Sequence, residues 1–258
     1  MILSISNQKG GVGKTTTTLN LAVFLANKGK KVLIVDIDPQ ANLTSGIGFT
    51  RDRDKDTKYK TTYDLLINKV DPNSIIKPTR VEHLDILPSG IELAGAEVEM
   101  VNSMSRETIL KRALDIIKDD YDYILIDCPP SLGLITINGH VASDKVLIPV
   151  QAEYFALEGL GQLINTIKLV KENLNSQLDI GGVVLTMFDT RTNLSKDIAA
   201  ELQNFFGEKL FDTIVPRNIR LSEAPSHGLS IFEYDPESTG AKAYERLTEE
   251  IIKRFESA

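Results

Sequence analysis

Residues Lys9-Gly10-Gly11-Val12-Gly13-Lys14-Thr15 follow a short apolar run, Ile2 to Ile5, and precede a helical pattern. A glycine-rich turn between a strand and a helix is the setting in which backbone amides cradle phosphate. Glycines at 10, 11 and 13 let successive N–H groups converge with the helix N-terminus on one anion. Lys14 is then placed to reach β and γ phosphates, and the Thr15 hydroxyl to serve Mg²⁺, with Thr16 next on the first turn. The usual spacing, G-x-x-x-x-G-K-[ST], requires glycine at position 8. This chain has Gln8 there and a second lysine, Lys9, at the loop entrance. Lys9 could be an ordinary solvated side chain, but the flanking strand and helix and the Gly-Lys-Thr-Thr ending favour binding of a nucleoside triphosphate.

Two further stretches end apolar runs in carboxylates. Asp36-Ile37-Asp38-Pro39-Gln40 closes the run Val32 to Val35. Carboxylates there can orient water, or metal-bound water, beside a γ-phosphate. Asp and Pro also suit a strand-end turn on structural grounds alone, so this stretch by itself favours neither reading. Ile124-Leu125-Ile126-Asp127-Cys128-Pro129-Pro130 has the form of a Walker B strand, whose aspartate supports Mg²⁺ through a coordinated water.

These residues need a scaffold that brings strand ends together. Strands are expected at 2–6, 32–36, 84–87, 122–127, 145–150 and 180–187, with a shorter one near 210–215. Helical patterns fall at about 15–28, 91–101, 105–118, 157–174, 194–206 and 238–256. Several strands read as continuous Val, Ile and Leu rather than alternating, as strands covered on both faces do. The expected fold is therefore α/β: a doubly wound, mostly parallel sheet with helices on both faces, of the P-loop NTPase type, with ligands at the carboxyl ends of the strands.

A chain of 258 residues with 42% hydrophobic content can bury one large core, so a single domain over 1–258 is expected. No apolar stretch is long enough to span a bilayer and no leader with a cleavage site is visible, which points to the cytoplasm. Cys128 is the one cysteine, which excludes an internal disulfide framework and most cysteine-ligated metal sites. His83, His140 and His227 are far apart in sequence and read as structural. The net charge of −7 gives no sign of nucleic-acid affinity, so any such contact must come from a local patch. Residues 51–60 carry both charge signs without an apolar period and read as a solvated loop.

The sequence Lys-Gly-Gly-x-Gly-Lys-Thr resembles the deviant Walker A motif of the ParA/MinD family of ATPases. The stretches Asp36 to Gln40 and Asp127-Cys128-Pro129-Pro130-Ser131-Leu132-Gly133 match the same family. So do Leu93-Ala94-Gly95-Ala96-Glu97, Ala156-Leu157-Glu158-Gly159-Leu160, Asp189-Thr190-Arg191-Thr192-Asn193-Leu194 and Pro216 to Gly228. The resemblance covers nearly the whole chain and is closest to the short chromosome-type ParA branch, often called Soj. The charged run 51–60 is longer than the family's usual connection.

That resemblance implies ATP and Mg²⁺ as ligands and a homodimer in the ATP-bound state. It implies that Lys9 crosses to the partner subunit's nucleotide, that Asp38 positions the attacking water, and that Pro216 and Asn218 lie near the adenine. It further implies nonspecific double-stranded DNA held by Arg191 and Arg220, release by hydrolysis, a ParB-type partner whose basic N-terminal segment stimulates the ATPase, and a nucleoid-associated location without membrane contact. Other branches fit less well. The end Glu249 to Ala258 lacks the basic amphipathic character of a membrane helix, one cysteine is too few for a nitrogenase-type iron protein, and a nucleotide strand beginning at residue 2 leaves no room for the N-terminal DNA-binding domain of larger partition ATPases. The remaining alternative is a nucleotide-switched scaffold that positions protein cargo or cell-division factors without binding DNA.

Overall fold

The computed structural model describes residues 1–49, 59–153 and 156–256. Among them, seven strands form one sheet: β1 (Ile2–Ile5), β2 (Val32–Asp36), β3 (Lys77–Pro78), β4 (Leu84–Leu87), β5 (Tyr123–Asp127), β6 (Lys145–Gln151) and β7 (Asp179–Thr186). Their order is β3-β4-β2-β5-β1-β6-β7, parallel throughout except for β3, which pairs antiparallel with β4 at the edge. Every residue of β1, β2 and β5 is buried, as continuous apolar strands between two helix layers must be.

The described helices are α1 (Lys14–Asn27), α2 (Asn42–Gly46), α3 (Thr62–Leu66), α4 (Ala96–Met100), α5 (Ile109–Leu114), α6 (Leu134–Ala142), α7 (Ala156–Asn173), α8 (Asn193–Phe206), α9 (Ile219–Glu223), α10 (Ile231–Tyr234) and α11 (Thr239–Glu256). On one face α1 and α11 bury Leu21, Leu25, Tyr244 and Leu247 with Leu3 and Ile34. On the other, α3, α5 and α6 bury Leu66, Leu110 and Ile135 with Leu33, Ile124 and Ile126. A third cluster joins α7 and α8 to β6 and β7 through Leu163, Ile167, Ile198 and Val183. The first turns of α1 hold four consecutive threonines, which are poor helix formers, so this helix owes its stability to the buried run Leu19–Ala26 rather than to propensity.

Register does the positioning. Ile5 and Asp36 both lie opposite Asp127 across adjacent parallel ladders, so the loop after β1 and the carboxylates ending β2 and β5 share one edge of the sheet. This is the crevice at the strand carboxyl ends where open α/β sheets take ligands.

Three local expectations change, at 91–101, 105–118 and 210–215. Residues 210–215 form no strand: Leu210 makes one isolated bridge to Val183, and Phe211 N–H and Val215 N–H donate to Val183 O and Leu185 O at 2.8 Å without a continuous ladder. The helical patterns at 91–101 and 105–118 are broken, with 3₁₀ turns at Ile91–Gly95, Arg106–Thr108 and Lys118–Asp120 flanking the short α4 and α5. Strand β3 and helices α2, α3, α6, α9 and α10 were not expected. Residues 51–58 of the charged run lie outside the described residues. No described helix is long and apolar enough to cross a membrane.

Candidate functional site

The loop between β1 and α1 takes the shape its glycines permit. Gly11 and Gly13 have φ of 76° and 87°, a left-handed backbone that side-chain-bearing residues rarely adopt, and Gly13 caps α1. Thr186 at the end of β7 donates its hydroxyl to Val12 O at 2.8 Å, tying the loop to the sheet, while the Val12 side chain is buried. Lys14 folds back so that Nζ donates to Lys9 O at 3.1 Å. It is 7% exposed, and burial lowers its pKa against the opposing pull of Asp127, Cys128 and Asp38.

Three carboxylates crowd the same edge. Asp127 accepts from the Thr15 hydroxyl at 2.7 Å and from Thr18 at 3.3 Å. Its pKa is held well above the usual carboxylate range, first by burial and then by the charge of Asp36. A hard divalent cation fits this donor set: the Thr15 hydroxyl would be its oxygen ligand, and the Asp127 carboxylate in contact with that hydroxyl needs positive charge nearby and could support the cation through a water. Among the described residues no three His, Cys, Asp or Glu side chains are grouped to hold a metal. That suits Mg²⁺, which is bound through one or two protein oxygens and completes its shell with water and substrate phosphates.

Asp36 and Asp38 divide into support and reach. Asp36 is fully buried and accepts from Asp38 N–H at 3.1 Å, Thr44 N–H at 2.9 Å and the Thr44 hydroxyl at 2.7 Å. Ser89 donates its hydroxyl to Asp38 O at 2.8 Å, and Gln40 N–H donates to one Asp38 carboxylate oxygen at 2.9 Å. Asp36 thus pins the backbone that aims Asp38 at the phosphate crevice. Asp36→Asn puts an amide donor against donors, and an unmet buried pair of this kind costs roughly 1–3 kcal/mol, to be read by chemical denaturation. Burial pushes Asp36 from 3.8 up to about 6, so its contribution to stability is full below the ordinary carboxylate value and lost as pH rises through about 6. An Asp36→Asn denaturation curve matching wild type at every pH would remove this supporting role.

Two adjoining cavities open on the loop. The first, about 540 Å³, is lined by Gly10, Gly11, Gly13, Lys14, Thr15, Thr16 and Asp38, with Gln40, Pro130, Met187, Pro225 and Ser226 around them. The second, about 310 Å³, is more apolar and shares Gly13, Thr16 and Met187 with the first; Pro216, Arg217, Asn218, Ile219 and Tyr244 close it. A polar chamber lined by loop amides and a cation, continuous with an apolar one, is the shape of a site for a polyphosphate joined to a base. Asn218 also caps α9, accepting from Arg220 N–H at 2.8 Å.

Five of the residues singled out from sequence line neither cavity: Val12 and Asp127 are buried beneath the loop, and Lys9, Arg191 and Arg220 stand outside. Lys9 pairs with Glu153 at 2.6 Å and lines a separate groove with Gln8, Pro130, Ser131 and Leu132. Arg191 is paired with Asp189 at 2.6 Å and Arg220 with Glu223 at 2.9 Å. Sequence reasoning passed over Thr18, Met187 and Glu153. Thr18 had a signal, standing three residues after Thr15 on one helix face. Met187 lies at the seam of the two cavities with a strained positive φ of 49°, which no residue type announces. Glu153 meets Lys9 across 144 residues of chain.

Known proteins resemble this chain in sequence and fold. The family profile described as an AAA domain matches residues 1–180. The sporulation initiation inhibitor protein Soj of Bacillus subtilis is 56% identical over 97% of each chain. The chromosome-partitioning ATPase Soj of Treponema pallidum is 52% identical over 96% of this chain and 95% of its own. Among solved structures, cobyrinic acid a,c-diamide synthase of Mycobacterium smegmatis with bound ADP and magnesium superposes with a TM-score of 0.85 at 33% identity, covering 99% of this chain and 95% of that one. With relatives this close along nearly its full length, the chain belongs to the ParA/MinD family of ATPases, on its Soj-like branch.

Proposed function

We propose that this partitioning ATPase, acting as one domain over 1–258, forms an ATP-bound dimer that holds nonspecific double-stranded DNA and is released when a ParB-type partner stimulates hydrolysis. The protein is an ATPase that uses ATP and Mg²⁺. The observation that carries the reading is the placement of its two lysines: Lys14 lines the phosphate cavity, and Lys9 stands outside it on an exposed groove.

In this reading the amides of Gly10, Gly11 and Gly13 and the Lys14 ammonium hold the β and γ phosphates, and Pro216 and Asn218 border the adenine. Thr15 and Asp127 hold Mg²⁺, the latter through water. The cation, when bound, offsets charge on the phosphate oxygens. Asp38, fixed through Asp36, orients the attacking water. Asp38→Ala leaves Lys14, Thr15 and the loop amides in place, so ATP still binds while turnover stops, and the protein accumulates as an ATP-bound dimer on DNA. Wild-type turnover in that variant, followed by phosphate release, would remove Asp38 from the role.

The deciding experiment is retention on nonspecific DNA with ATP, with ADP and without nucleotide, where ATP alone gives retention. Arg191→Ala or Arg220→Ala then weakens retention on all sequences and lowers the salt slope by roughly one for each phosphate that is no longer neutralised, while ATP-dependent dimerisation persists. The ion pairs these arginines make favour a second reading, the scaffold without DNA affinity. Exposed pairs are weak and screened, however, and a phosphate can replace the carboxylate partner. Absence of ATP-dependent retention selects the scaffold.

A further inference from the structure

Two segments far apart in sequence supply part of the lining of the phosphate cavity: Asn42, Ser45 and Gly46 of α2, and Pro225 and Ser226 of the 3₁₀ turn Ala224–His227. They meet with almost no side chain between them. A Cβ on Gly46 would lie 3.6 Å from the Pro225 side chain, and one on Gly228 would lie 2.8 Å from Gly48 Cα. Glycine against glycine buries little apolar area, so their separation must be fixed by something else.

Arg80, on the turn between β3 and β4, reaches both segments. Its Nη1 donates to Ile47 O just past the end of α2, while Nε and Nη2 donate to the two carboxylate oxygens of Glu233, each at 2.8 Å. Glu233 in turn accepts from Ser230 N–H at 3.0 Å and from the Ser230 hydroxyl at 2.8 Å, two residues after Gly228. Next to Ser230, Ile231 N–H donates to Asn20 Oδ1 at 2.8 Å, on the helix that starts in the phosphate loop. A planar guanidinium can fork onto a carboxylate and still give a third bond to a carbonyl, which an ammonium cannot do in one fixed geometry. Arg80 itself lines neither cavity.

We propose that Arg80 is a positioning residue for nucleotide binding, acting through Ile47 and Glu233 to fix the spacing of the α2 and Pro225–Ser226 walls. Its effect falls on binding rather than on the attacking water, because Asp38 is held separately: its N–H donates to Asp36, and Ser89 donates to its carbonyl. The role rests on the assignment of the phosphate cavity, which Lys14→Ala tests on its own.

The test measures steady-state hydrolysis across a range of ATP concentrations and, separately, binding of a fluorescent ATP analogue, on the full chain well below each variant's thermal midpoint. Arg80→Met keeps an apolar stem and removes the three bonds. It is expected to raise KM and weaken analogue binding by roughly 3- to 30-fold while kcat stays at the wild-type value. Arg80→Lys can meet Glu233 or Ile47 O but cannot fork onto both, so its KM falls between those of wild type and Arg80→Met. Tyr121→Phe, which removes a 2.8 Å hydrogen bond to Asp85 away from both cavities, is the control for lost stability and should keep the wild-type KM. Wild-type KM in folded Arg80→Met, or a fall in kcat with KM unchanged, would overturn the positioning role. So would an equal rise in KM in Tyr121→Phe, which would reduce the effect to a general loss of stability. If Arg80→Met does not fold, Arg80→Lys decides: a raised KM with kcat kept upholds the proposal, and a wild-type KM overturns it.

Discussion

Lys14→Ala is expected to lose ATP affinity by roughly 30- to several-thousand-fold, the equivalent of about 2–5 kcal/mol for deleting one member of a desolvated charge pair. The loss is large because Lys14 is nearly buried, so phosphate replaces the water that its ammonium gave up on folding. It is also the cation that lines the phosphate cavity together with the loop glycines. Its Nζ is bonded to Lys9 O, a single neutral acceptor, so the variant should fold. Titration with a fluorescent ATP analogue, alongside a thermal melt of the apoprotein, separates lost binding from lost structure. A folded variant with wild-type affinity would overturn the assignment of the phosphate site, and dimerisation and DNA retention should disappear with affinity.

The phosphate loop was legible because its chemistry is local. Three glycines, a lysine and a threonine act within one turn, and the strand and helix around them carry strong periodic signals. The sheet edge was legible for a related reason, since β2 and β5 are continuous apolar runs that stop at a carboxylate. Helix α6 was not. Its sequence, Leu134 to Ala142, is rich in β-branched residues and includes Asn138 and Gly139, and with seven of its nine residues buried it shows no polar face to set a period. What favours the helix is tertiary: a Cβ at Gly139 would come within 3.0 Å of Ile37 and 3.1 Å of Cys128, so the glycine lets α6 lie close to the strand ends without displacing either side chain. The stretch 210–215 misled for the opposite reason. Its apolar residues pack beside β7, where Phe211 fills the space left by Gly182, but their backbone bonds alternate along β7 without completing a ladder. The part played by Asp36 also needed coordinates. The resemblance singled out Asp38 for the attacking water, and it is the three donors gathered on Asp36 that make it the support of Asp38, which lines the crevice.

Lys9 separates a self-contained ATPase from one completed by a second subunit. The charge that develops on a transferring γ-phosphoryl group calls for a cation beyond Lys14 and Mg²⁺, and a basic finger in the site is worth on the order of 10³ to 10⁵ in rate in phosphate-loop enzymes. Within one subunit Lys9 does not supply it: its ammonium is turned to Glu153 and its side chain lines an outer groove with Ser131 and Leu132. The Glu153 pair is partly exposed, with 37% and 46% of the two side chains accessible, so it holds Lys9 by only about 0–1 kcal/mol, and a facing triphosphate is expected to displace it. Lys9→Ala should therefore keep near-wild-type ATP affinity as a monomer, since the Lys14 cavity is untouched. It should lose ATP-dependent dimerisation and DNA retention together, with hydrolysis reduced about 10³-fold or more. Analytical ultracentrifugation with ATP, steady-state hydrolysis and DNA retention on the same preparation read all three. A Lys9→Ala protein that dimerises with ATP and holds DNA like wild type would make Lys9 a solvated loop residue and place the missing positive charge within one subunit.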